Sequence, residues 1–146
     1  MDRTFLVNWW NEAWDSGLWA ASWGKSLEAL TPEQAAWTPG KDRKSIWQLV
    51  HHMTFWRENW LGKLAGRPKA DAAEVARRNW EPPAEITPAA WNRSLDRFKE
   101  TQRHLAAALA DPASPIDAIA YFLPHDSYHF GQINYLRAMQ GLAPIE

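Results

Sequence analysis

The chain has 146 residues, 46% apolar and 23% charged, which excludes intrinsic disorder and suffices for one ordinary hydrophobic core. Its 16 Lys and Arg against 17 Asp and Glu leave a formal charge of −1, which argues against a phosphate-binding face for nucleic acid. Cysteine is absent, so disulfides, thiolate metal sites and a cysteine nucleophile are excluded.

The pattern predicts helices throughout and no alternating strands. From Phe5 to Leu30 apolar residues recur at spacings of three and four, one helical stripe that Gly17 and Gly24 weaken without ending. Trp9 and Trp14 fall on that stripe as packing residues. Trp10, Trp19 and Trp23 fall nearer its edges, suiting a dimer face or the wall of an apolar pocket. Thr31-Pro32-Glu33-Gln34 is a helix start, cut short by Thr38-Pro39-Gly40. Ser45 and Gln48 form a capping box for a longer helix with the stripe Ile46, Leu49, Val50, Met53, Trp56, Trp60, Leu61 and Leu64, closed by Gly66 and Pro68.

Residues 67–86 are charged and alanine-rich and read as a long connection with about one turn of helix, the kind of loop that tends to carry function. Trp80 within it is a candidate lid. Thr87-Pro88 restarts a helix with Trp91, Leu95, Phe98, Leu105 and Leu109 facing inward, ended by Asp111-Pro112 and Ser114-Pro115. Ile116 to Leu123 forms a turn or a short helix, and a last helix covers about Pro124 to Gln140, before Gly141. The expected architecture is a single domain over residues 1–146, an all-α four-helix bundle. No stretch is apolar enough to cross a membrane, the N-terminus lacks the pattern of a secretory leader, and the cytoplasm is the expected location.

The chemistry rests on histidine. His125 and His129 stand i, i+4 on the last helix, a spacing that aims both imidazoles at one ion. Such pairs also occur by chance on surface helices. A third histidine is available on the helix after Ser45. At about 100° per residue, His52 lies roughly 110° from the centre of that helix's stripe and His51 roughly 150°. His52 is therefore nearer the interior, and His51 is expected to face water. His104 reads as a solvated residue. Gln132, one turn beyond His129, suits a hydrogen bond to a ligand or a bound water, or a polar contact inside the bundle. Tyr128 suits a helix interface and, less so, the pocket. Asp126 suits the helix dipole of a first turn rather than support of a histidine. Glu58 falls on the His51 side of its helix and is not a candidate base.

His125-Asp126-Ser127-Tyr128-His129-Phe130-Gly131-Gln132-Ile133 resembles the C-terminal signature of the DinB/YfiT-like superfamily, a histidine pair followed by Gly-Gln. Ser45-Ile46-Trp47-Gln48-Leu49-Val50-His51-His52-Met53-Thr54-Phe55-Trp56 resembles that family's second-helix segment, in which the ligand histidine precedes an aromatic by four residues. That register also selects His52. The approach from Leu30 to Trp37 is similar as well, while residues 67–115 match only as helix and loop. The resemblance implies a four-helix bundle, often a homodimer, holding one divalent ion, zinc or nickel, through His52, His125 and His129. It implies no DNA binding.

Some relatives are transferases or isomerases that use a low-molecular-weight thiol. Three neutral histidines leave an ion its full charge and an open position, at which either a water or a substrate thiol loses its proton more readily. Thiol transfer to a small electrophile and hydrolysis of a small molecule are both expected from such a site, and no residue is assigned a catalytic role. With no cysteine in the chain, any thiol must come from outside. The alternative is a non-catalytic bundle that holds a metal or binds a partner through its tryptophan-rich surface.

Overall fold

A computed structural model describes residues 2–145, and among these every regular element is helical. The elements are α1 (Arg3–Asp15), α2 (Trp23–Ser26), α3 (Pro32–Ala36), α4 (Ile46–Leu64), α5 (Ala72–Arg78), α6 (Pro88–Ala110), α7 (Ile116–Ala120) and α8 (Phe122–Met139). No helix among the described residues is long and apolar enough to cross a membrane. The chain divides into two units, Met1–Ala29 with His104–Glu146 and, separately, Leu30–Arg103; α6 contributes residues to both.

In the first unit, Asp2 caps α1 by accepting from the Phe5 amide at 2.9 Å. The helix buries Leu6, Trp10 and Ala13, not the Phe5–Trp9 edge. It stops at Asp15 instead of running on to Leu30. Gly17 takes φ +67°, and its amide donates to the Glu12 carbonyl at 2.7 Å, a left-handed helix end that glycine adopts without strain. The chain then re-forms a short helix under the cap of Ser22, whose hydroxyl accepts from the Lys25 amide.

This break places Trp23 in the core beside Trp10. Their rings meet edge to face at 5.4 Å, and Trp23 lies parallel to Phe130 of α8 at 5.2 Å. Trp10 and Trp23 are therefore core residues, while Trp19 is fully exposed. Arg137 of α8 donates to the carbonyls of Ser26 and Glu28, satisfying the end of α2. The Arg3 guanidinium closes the far end of the unit, donating to the carbonyls of Leu109 (2.6 Å), Asp111 (2.7 Å) and Ser114 (2.9 Å).

In the second unit both expected capping boxes form. Thr31 and Gln34 start α3, and Ser45 and Gln48 start α4. The α6 start is also as expected, with the Thr87 hydroxyl accepting from the Ala90 amide. Helix α4 buries Ile46, Leu49, Val50, Met53 and Phe55. From the same helix, Trp47 donates to Ser94 of α6 at 2.9 Å and its ring packs at 5.0 Å from Trp91, whose own indole N–H donates to the Leu30 carbonyl. Arg57 is fully buried, its guanidinium 4.2 Å from the centre of the Phe98 ring and its Nη1 donating to Thr101. The expected single turn within 67–86 is the two-turn α5, capped by Asp71 and burying none of its residues.

Candidate metal centre

His52 sits in the middle of α4 and is buried. Its Nδ1 lies 2.7 Å from Oδ1 of Asn79, and its ring is stacked on Trp80, 6° from parallel with centroids 3.9 Å apart. His125 and His129 lie one turn apart on α8, their rings edge to face at 4.6 Å. His125 Nδ1 is 2.7 Å from Oδ1 of Asp126, a fully buried carboxylate. His129 Nδ1 is 2.7 Å from Oε1 of Gln132, whose Nε2 donates in turn to the Tyr128 hydroxyl at 3.2 Å.

Each of the three rings thus meets an oxygen at Nδ1, and those oxygens only accept. A neutral imidazole has one N–H, so in that form Nδ1–H donates in each ring and the lone pair lies on Nε2. Metal-binding histidines take this arrangement, with the far nitrogen bonded to a carboxylate, carbonyl or water that fixes ring and tautomer. One nitrogen from each of His52, His125 and His129 lies within 4.8 Å of those of the other two, and the three could hold a metal ion. Burial pushes His129 below the usual imidazole range. The bond to Gln132 opposes this, and His125 adds to it. A depressed value favours the neutral form that ligation requires. The donor set fits a divalent ion of the zinc, nickel or copper kind.

A family model described as the DinB superfamily matches residues 19–140. The chain belongs to the DinB superfamily. No curated protein and no solved structure matches it. The DinB match takes in both the Ser45–Trp56 segment and the His125–Ile133 segment, and it leaves α1 outside.

Against the DinB-like reading of the sequence, the structure brings His52, His125 and His129 together and corrects several neighbours. His51 is half-buried, and its Nε2–H donates to the Arg78 carbonyl at 2.7 Å instead of pointing to water. Asp126 supports His125 and is not a first-turn residue, because α8 begins at Phe122, ahead of Pro124. Tyr128 is largely exposed, its hydroxyl tied to Gln132, and is not buried at a helix interface. His104 is exposed, as expected, and Glu58 pairs with Arg97.

Asn79 was not anticipated. It stands 27 residues from His52 in a segment without periodicity, so nothing local in the sequence announces the contact.

Proposed function

We propose that this DinB-superfamily protein binds one divalent ion, zinc or nickel, through Nε2 of His52, His125 and His129, and catalyses a reaction of a small molecule with it. The observation that carries the reading is the set of three nitrogens within 4.8 Å, on rings each anchored at Nδ1. When bound, a divalent ion held by neutral nitrogens supplies Lewis acidity that makes a water or a thiol easier to deprotonate. The chain's own residues orient the three imidazoles through their Nδ1 partners. Asp126 is the one carboxylate among the three acceptors and supports His125.

Transfer of an external thiol to a small electrophile and hydrolysis of a small molecule are the two reaction classes that such a site supports. The sequence contains no cysteine, so a thiol substrate must be supplied as a free small molecule. The proposed frame is a four-helix bundle of α1, α4, α6 and α8, working as a homodimer. A second reading, a non-catalytic bundle that binds a partner, draws on the wholly exposed Trp19 and the exposed Tyr121, Tyr128 and Tyr135.

The test is metal content by plasma mass spectrometry on untagged protein, after incubation with zinc or nickel and washing. One ion per chain is expected in the wild type and in His51→Ala, and loss in His52→Ala, His125→Ala and His129→Ala. A wild type without metal overturns the reading. A wild type that binds metal but turns over no thiol–electrophile pair and no hydrolysable ester or amide favours the partner-binding bundle.

A further inference from the structure

Segment 67–86 is attached to α4 in an unusual way. No residue of helix α5 is fully buried, although the Arg78 guanidinium stands 5.8 Å from the Phe55 ring centre. Polar contacts tie the segment to α4. The Ala70 amide donates to Asn59 at 2.9 Å, and three consecutive residues are then gripped by one stretch of α4. His51 donates to the Arg78 carbonyl, His52 to the Asn79 side chain, and Gln48 to the Trp80 carbonyl at 2.9 Å. Two of these three grips take backbone carbonyls, which any residue offers. Only the Asn79 contact depends on the side chain.

Asn79 is also the residue that ends α5, but its side chain does not make the cap. The backbone N–H does so, donating to the Val75 carbonyl at 3.0 Å. The amide oxygen is thereby available to His52 Nδ1–H. Trp80 then lies flat on the same imidazole, and Lys44 Nζ stands 5.6 Å from the Trp80 ring centre. One face and one edge of His52 are set by two adjacent residues of this segment.

We propose that Asn79 and Trp80 are positioning residues of the metal centre. Asn79 fixes His52 as the Nδ1–H tautomer with Nε2 presented for ligation, and Trp80 fixes the plane of its ring. The inference rests on the metal reading above and extends it: segment 67–86 becomes part of the site rather than a passive connection. Linkage makes the effect reciprocal, so an ion on His52 tightens the hold on residues 72–80.

The test compares zinc affinity by chelator competition in the wild type, Asn79→Ala, Asn79→Asp and Trp80→Ala. It adds the His52 tautomer by nitrogen-15 NMR in zinc-free protein and amide hydrogen exchange over residues 72–80 with and without zinc. Asn79→Ala is expected to weaken zinc binding by about 10–100-fold with one ion still bound at saturation, the usual effect of losing such a partner. It should also lose the His52 Nδ1–H signal and the zinc-induced slowing of exchange. Asn79→Asp retains an acceptor and should restore all three, and Trp80→Ala should weaken binding with the tautomer unchanged. Wild-type zinc affinity in Asn79→Ala, or an Nε2–H tautomer in the wild type, overturns the inference alone. A wild type that binds no zinc overturns the metal reading and this inference with it.

Discussion

Trp23 and Phe130 stack in parallel, 6° apart at 5.2 Å, and so join the four-residue helix α2 to the middle of α8. Trp23 is also edge-on to Trp10, and both indoles are buried. Trp23→Ala removes the centre of this cluster and is expected to cost about 3–5 kcal/mol. Trp19→Ala, four residues earlier at a wholly exposed position, should change stability by less than about 0.5 kcal/mol. Urea denaturation of the two variants checks both, and equal losses would show that Trp19 packs in solution.

Two glycines should respond to alanine with opposite signs. Gly17 takes φ +67°, and a Cβ there would lie 2.0 Å from the Ala20 carbonyl oxygen. Gly17→Ala is therefore expected to destabilise by more than about 1 kcal/mol. Gly131 lies within α8, and a Cβ added there meets nothing within 4 Å. Gly131→Ala should stabilise by about 0.5–1 kcal/mol, because alanine loses less backbone freedom in a helix. Midpoint temperatures moving in the same direction would contradict the pair.

The metal-free protein should lose stability in mild acid. The folded-state pKa of His129 lies below its ordinary value of 6.5, chiefly through burial. Between that lowered value and 6.5 the unfolded chain binds a proton that the folded chain does not, so stability falls as pH drops through this window. Above 6.5 both states carry a neutral ring and the contribution is level. Denaturant midpoints at pH 7.5 and 5.5 read the slope, and His129→Gln should flatten it. An equal slope in the variant would assign the effect to another group.

Gln48 serves both the α4 cap and segment 67–86: Oε1 accepts from the Ser45 amide, while Nε2 donates to the Trp80 carbonyl. Ser45→Ala removes the cap alone and is expected to cost about 0.5–2 kcal/mol. Gln48→Ala should in addition speed amide exchange and proteolysis in residues 67–86. Comparable protection of that segment in both variants would mean that the Trp80 contact contributes little.

What the sequence makes legible is local chemistry. The starts of α3, α4 and α6 follow from a hydroxyl and a partner within one turn, and these contacts form with little regard to the rest of the chain. The choice of His52 over His51 follows from helix phase and from the family pattern alike. The phase of α1 is less legible, because Phe5, Leu6, Trp9, Trp10 and Trp14 surround much of the helix with apolar groups and two faces compete. Only the break at Gly17, which lets Trp23 reach Trp10, decides between them. Asp126 misleads for a smaller reason: α8 starts two residues earlier than Pro124 suggests, since proline is tolerated in a first turn where no helical N–H is needed. Asn79 has no local signature at all, because its partner is a residue of another helix.

The division of the chain bears on the order in which it can fold during synthesis. Leu30–Arg103 is continuous, so its partners all emerge from the ribosome together. The other unit joins Met1–Ala29 to His104–Glu146, and the three close carbonyl partners of Arg3 are made 106 to 111 residues after it. The five tryptophans of the first 23 residues therefore leave the ribosome long before Phe130, against which Trp23 packs, has been translated. For that interval the nascent chain displays its most aromatic segment unburied, the condition under which growing chains recruit chaperones or associate with one another.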